Sequence, residues 1–185
     1  MRTGLKVVGA VALLLAGGLA LAAAAPPRAD EVLSAAKTQA ATERKNIFLT
    51  FGASWCEPCH RLEAFLNAAD IAPLLQKYFV FAKLNVAEEH GEHPDMESPG
   101  AEKMLKELGG DNDGVPFIFF LDAQGSKLVD SHRPVHGTAR FVNIGYPDTP
   151  QEIFWFMEML KRGAPRMTEE ERRVVGEKLR AAGRN

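Results

Sequence analysis

The sequence predicts an α/β domain in which a central mixed β-sheet is flanked by helices, with an N-terminal helix before it and a C-terminal helical extension after it. Two observations carry this. Strand-type apolar runs alternate with helical patterns in the order β, α, β, α, and then give way to a β-hairpin and a helix. The 185 residues suffice for one domain with additions but not for two, and no internal repeat or low-complexity block divides them.

Taken in order, Asp30 caps a predicted helix over 30–44, with Val32, Leu33, Ala36 and Ala40 on one apolar face. Residues 47–51 form a short strand ending at Gly52. A helix follows over 56–67, with Leu62, Phe65 and Leu66 on one side, and then a shorter helical piece over 71–77. Residues 79–86 read as a second strand. The polar stretch 88–100, rich in Gly, Pro and His, reads as a mobile loop, and 101–108 as a helix stopped by Gly109-Gly110. Residues 115–121 form the most apolar strand outside the N-terminal segment. Asp122-Ala123-Gln124-Gly125 is a turn, after which 126–130 pair back as a hairpin. Beyond an irregular stretch, Thr149, Pro150 and Glu152 supply an N-cap, a first-turn proline and a capping box for a helix ending near Arg162-Gly163. Thr168 with Glu171 repeats the box for a last, highly charged helix, read as a solvated face. Phe154, Trp155, Phe156, Met157 and Met159 read as core.

The N-terminal segment stands apart from this domain. Arg2 and Lys6 precede an almost wholly Val, Ala, Leu and Gly run over 7–25, Ala22-Ala23-Ala24 offers a small-x-small cleavage pattern, and Pro26-Pro27 breaks any helix. Residues 1–25 are read as a signal peptide, 26–163 as the main domain, and 164–185 as a charged C-terminal helix. An uncleaved anchor is the alternative, since the run approaches the ~20 residues needed to span a bilayer. Either reading exports the domain to a periplasmic or equivalent extracytoplasmic compartment. Losing Arg2 and Lys6 moves the net charge from −2 to −4, and no cluster of Lys and Arg marks a nucleic-acid footprint.

Cysteine usage is the sharpest constraint. An exported domain stapled by disulfides would carry four or more Cys, whereas this chain has two, Cys56 and Cys59. A bridge closing so small a loop removes little entropy from the unfolded chain, so the pair points to chemistry. Trp55-Cys56-Glu57-Pro58-Cys59 lies where strand and loop give way to helix. Cys56 at the helix N-terminus meets free N–H groups and the macrodipole, which favour the nucleophilic thiolate. Cys59 sits one turn in, more shielded, and resolves the mixed disulfide. Pro58 suits the first turn, and Glu57 partly opposes thiolate formation.

These residues, with the N-terminal helix, the strand over 47–51, the strand over 81–86 and Gly114-Val115-Pro116, resemble the thioredoxin-fold superfamily. The resemblance is to its exported single-domain branch, similar to the DsbD C-terminal domain and to small endoplasmic-reticulum thioredoxins. It covers about residues 30–162. It implies a thioredoxin fold, protein-disulfide substrates, a cis proline at Pro116, and substrate-binding backbone at Val115 beside Trp55. Lys83-Leu84-Asn85 resembles the thioredoxin segment whose lysine lies behind the active site, but Thr50 stands where thioredoxin carries a buried acid. Glu57-Pro58 resembles reductases serving extracytoplasmic cytochrome maturation, which leans the reading towards reduction. The catalytic residues are therefore Cys56 and Cys59, with Trp55, Val115 and Pro116 binding substrate and Glu57, Pro58 and Lys83 supporting. No cofactor beyond the redox-active Cys56–Cys59 disulfide is implied. With two Cys alone, recycling needs a membrane or soluble thiol donor.

Two other classes compete. Cys56-Glu57-Pro58-Cys59-His60 is also a c-type haem attachment signature with His60 as axial ligand, although strands flank it on both sides. A binding module holding a soft metal on the two thiolates is the other, with no further ligand in sight. His90, His93 and Asp95, with Glu88, Glu89 and Glu92 nearby, lack regular spacing on a rigid element and are read as loop rather than a metal site. That loop is expected to flank the substrate groove.

Overall fold

The computed structural model describes residues 25–110 and 114–183. Residues 1–24, nearly all of the segment 1–25 read from sequence as a signal peptide, lie outside the described residues. Six α-helices and six strands are described: α1 (Ala29–Glu43), β1 (Asn46–Gly52), α2 (Glu57–Leu66), α3 (Ala72–Leu75), β2 (Phe79–Asn85), α4 (Ala101–Leu108), β3 (Phe117–Leu121), β4 (Lys127–Asp130), β5 (His132–Pro134), β6 (Phe141–Asn143), α5 (Pro150–Gly163) and α6 (Glu169–Ala182). The main sheet runs β2-β1-β3-β4, with β1 parallel to β2 and antiparallel to β3, and β4 antiparallel to β3. This is the mixed central sheet the sequence predicts.

Both faces of the sheet are covered at its central strands, which explains why β1 and β3 are apolar at most positions. Along β1, Ile47, Leu49 and Phe51 face the core beneath α1 and α4, together with Phe117, Phe119 and Leu121 of β3. Phe48 faces the opposite way, with Ile118 and Phe120, into the core closed by α2, α3, α5 and α6. Phe48 is the hub of that layer, its ring lying 4.7 Å from Phe120, 5.7 Å from Phe79 and 6.4 Å from Phe156. Gly163 closes α5 directly against the Phe120 ring, leaving no room for a Cβ.

Several local expectations change. The N-cap of α1 is Arg28, whose N–H donates to Glu31 Oε2 at 3.3 Å, so Asp30 lies inside the first turn. The helical piece after α2 contracts to four residues. The stretch read as irregular contains β5 and β6, a separate two-stranded sheet; three-residue strands are too short to display an alternating pattern. The capping boxes hold: Glu152 N–H donates to Thr149 Oγ1 at 3.3 Å, and Glu171 N–H to Thr168 Oγ1 at 3.2 Å. In α5 the buried stripe is Ile153, Phe156, Met159 and Leu160, while Phe154 is 64% exposed and Trp155 and Met157 are half-buried. Phe154 is therefore not core.

The last helix is not simply a solvated face. Val175 and Leu179 are wholly buried against the same core as Phe156. Glu171 accepts from the Tyr78 hydroxyl at 2.6 Å and from Lys77 Nζ at 2.9 Å, and Lys178 pairs with Asp70 at 3.0 Å. The Tyr78 hydroxyl, then Lys77, hold the Glu171 carboxyl down to about 2. Among the described residues no helix is long and apolar enough to cross a membrane.

Candidate active site

The central strand β1 delivers the chain directly to the cysteines. After Gly52 it passes Ala53, Ser54 and Trp55 and reaches Cys56, the N-cap of α2. Gly52 lets the strand pass close to the pair, since a Cβ there would crowd Cys59 Sγ at 3.3 Å. Cys56 adopts the extended conformation of an N-cap, and its sulfur accepts the Cys59 N–H at 3.2 Å, in the place an N-cap hydroxyl usually takes. Glu57 and Pro58 occupy the first turn, where the missing proline N–H leaves no bond unmade. Both are exposed, as is His60.

Cys56 and Cys59 are joined in a disulfide, with their Cα atoms 5.2 Å apart. The expected contrast in shielding is absent: Cys56 is 2% exposed and Cys59 4%. The cover comes from across the sheet, where Val115 packs on the pair and its carbonyl oxygen lies 3.5 Å from Cys56 Sγ. The difference between the two sulfurs is one of partners. Cys56 Sγ faces an N–H donor and the Val115 carbonyl, whereas Cys59 Sγ packs on Gly52. The Val115–Pro116 peptide bond is cis, and Pro116 is buried while Val115 is half-buried.

Trp55 is 45% exposed beside the pair. Its indole Nε1 donates to Ala87 O at 2.7 Å, His90 meets the ring edge-on with centroids 6.2 Å apart, and Gly91 packs so closely that a Cβ would lie 2.6 Å from the ring. With Val115, Leu105 and Lys106, the indole and His90 line a groove of about 320 Å³. The loop over 88–100 thus reaches the groove beside the cysteines. It is folded, not open: two 3₁₀ turns, Glu88–His90 and Pro94–Met96, build it.

Sequence reading missed Glu88. This carboxylate is wholly buried and accepts from Ser54 N–H at 2.8 Å and Ser54 Oγ at 2.5 Å. Its own N–H donates to Glu97 Oε2 at 3.0 Å, and burial pushes the Glu97 carboxyl upward, with the Glu89, Glu102 and Glu88 carboxylates adding to the rise. No local signal separates Glu88 from Glu89 or Glu92 in the sequence. Its role comes from Ser54, a residue on another element.

The lysine expected from sequence to support the pair sits apart from the residues above. Lys83 is exposed on β2, opposite Thr50 in the register, and pairs with Glu63, one helical turn beyond Cys59 on α2. Thr50 Oγ1 donates to Ala82 O at 3.3 Å, so this position holds a hydroxyl satisfied by backbone. The haem reading gains nothing here. Both sulfurs are bonded to each other, and the motif joins a central sheet to a helix.

A family described as Thioredoxin-like matches residues 28–123, just over half of the chain, from α1 through β3 and including both cysteines and Val115–Pro116. No curated protein matches. Among solved structures the chain is similar to a disulphide isomerase from Xylella fastidiosa Temecula1, at 16% identity and TM-score 0.44, covering 83% of this chain and 86% of that one. It is similar to the DsbD C-terminal domain of Neisseria meningitidis in its oxidised form, at 20% identity and TM-score 0.45, covering 74% and 99%. A thioredoxin-fold protein from Helicobacter pylori matches at 17% identity and TM-score 0.40, covering 76% and 83%. On the strength of the family match the chain belongs to the Thioredoxin-like family and carries the thioredoxin fold.

Proposed function

We propose that this protein is an exported thiol–disulfide oxidoreductase that works on protein disulfides, in the reducing direction. The observation that carries the reading is the Cys56–Cys59 disulfide at the N-terminus of α2, with the Val115 carbonyl 3.5 Å from Cys56 Sγ. In the reduced enzyme the Cys56 thiolate, favoured by the helix N-terminus and the Cys59 N–H, attacks one sulfur of a substrate disulfide. A mixed disulfide forms and the first substrate thiolate leaves and takes a proton. The Cys59 thiolate then attacks Cys56 Sγ, the second substrate thiolate departs, and the pair is left oxidised. Two electrons pass to the substrate in each cycle, and an external membrane-bound or soluble thiol donor returns them.

Trp55 and Val115 border the groove in which the substrate chain lies beside Cys56. The reducing direction is supported by the Glu57-Pro58 pair, and export by the apolar segment over 7–25 with its small-residue cleavage pattern. Turnover tests the reading. With dithiothreitol as donor, the wild-type protein should reduce a disulfide-bonded peptide catalytically, and Cys56→Ser should abolish the catalysis. Wild-type rates no faster than those of Cys56→Ser would refute it.

A further inference from the structure

The family match ends at residue 123, yet the segment beyond it supplies a side chain to the Pro116 loop. Asn143, the last residue of β6, donates through Nδ2 to Gly114 O and to Pro116 O, each at 3.1 Å. These two carbonyls bracket Val115, whose own carbonyl faces Cys56 Sγ. The amide cannot turn round without loss. Its Oδ1 accepts from Ser131 Oγ at 2.7 Å and from Gly145 N–H at 3.1 Å, so the donor end must face the loop. Ser131 is itself wholly buried and doubly paired with Ile118, through Ile118 N–H to its Oγ at 3.1 Å and its own N–H to Ile118 O at 2.9 Å. The clamp is thereby anchored to β3 of the main sheet.

The same segment also grips the redox helix. Arg61, two residues beyond Cys59, stacks over the Tyr146 ring at 4.2 Å and pairs with Asp148 at 3.1 Å. Residues 143–148 therefore tie the Val115–Pro116 loop to α2.

We propose that Asn143 is a positioning residue that fixes the Val115 backbone for pairing with the substrate chain. The inference rests on the oxidoreductase reading above. A side chain holding the carbonyls on both sides of Val115 sets where that backbone lies. Its loss penalises a substrate that needs a backbone partner more than one that offers only a sulfur–sulfur bond. Displacements of about 1 Å in such a site cost up to about a hundredfold in rate.

The test compares a disulfide-bonded peptide with a small aromatic disulfide, using the full chain and dithiothreitol as donor. Asn143→Ala should lower the peptide-to-small-disulfide ratio of kcat/KM about tenfold, the loss appearing mainly in the peptide KM. Asn143→Asp, isosteric and still able to accept from Ser131 and Gly145, should lower the ratio as well, and carries the test if the alanine variant fails to fold. An unchanged ratio, or equal losses on both substrates, would overturn the proposal. Wild-type protein inactive on both substrates would instead defeat the oxidoreductase reading itself.

Discussion

The buried carboxylate of Glu88 accepts both hydrogen bonds that Ser54 can donate, from its N–H at 2.8 Å and its hydroxyl at 2.5 Å. Ser54 lies two residues before Cys56, and Trp55 between them is bonded to Ala87, the neighbour of Glu88. The approach to the redox cysteines is therefore held from the loop that follows β2.

Removing that acceptor strands two donors in a poorly solvated position. Glu88→Ala should cost about 2–3 kcal/mol of stability, and Glu88→Gln less, because one acceptor oxygen remains. Urea unfolding measures both, and Trp55 emission should shift to the red as the indole loses its fixed partner. A cost below about 0.5 kcal/mol for Glu88→Ala, within the range of ordinary surface changes, would show that the contact does not hold the segment.

Acid sensitivity should centre partly on α6. The Tyr78 hydroxyl and Lys77 hold the folded Glu171 carboxyl at about 2, against an ordinary value of 4.5. The folded value is depressed, so its contribution is complete above about pH 4.5 and fades as the pH falls towards 2. Glu171→Gln should cost about 1–2 kcal/mol at neutral pH. The gap between variant and wild type should narrow as the pH falls from 4.5 to 2. A gap that stays constant over that window would contradict the assignment.

The packing of Phe120 on Gly163 makes a paired prediction. Phe120→Ala, which empties a wholly buried ring site next to Phe48, should cost about 3–5 kcal/mol. Gly163→Ala drives a methyl into that ring and should cost about 1–3 kcal/mol. Adding Gly163→Ala to Phe120→Ala should cost less than adding it to the wild type, because the ring is gone; strict additivity would place the clash elsewhere.

Reading direction from potential gives a further check. A reductase predicts a Cys56–Cys59 potential close to that of thioredoxin, about −270 mV, in equilibrium with a glutathione or dithiothreitol series. A value near −120 mV, like that of DsbA, would make the protein an oxidase.

Sequence makes some of these features visible and hides others for physical reasons. The cysteine motif, the strands and the Thr149–Glu152 and Thr168–Glu171 capping boxes are local, written within a few residues of each other. Glu88 and Asn143 are not. Their partners Ser54 and Pro116 are 34 and 27 residues away, and each looks in sequence like any polar loop residue. The face of α5 was hidden for another reason, since Ile153-Phe154-Trp155-Phe156-Met157 is apolar all round and no periodicity marks Phe154 as the outward residue. The charges of α6 obscured Val175 and Leu179, whose burial depends on where α5 lies. The shielding of Cys56 likewise comes from Val115, a residue 59 positions away.

The central claim is that Cys56 attacks and Cys59 resolves. Cys59→Ala, mixed with a disulfide-bonded peptide and examined by intact mass spectrometry under non-reducing conditions, tests it most directly. The account predicts a stable adduct of protein plus one peptide, attached at Cys56 and released by dithiothreitol, with none from Cys56→Ala. Adducts on Cys59 in the Cys56→Ala protein, with none on Cys56 in the Cys59→Ala protein, would reverse the roles and contradict it.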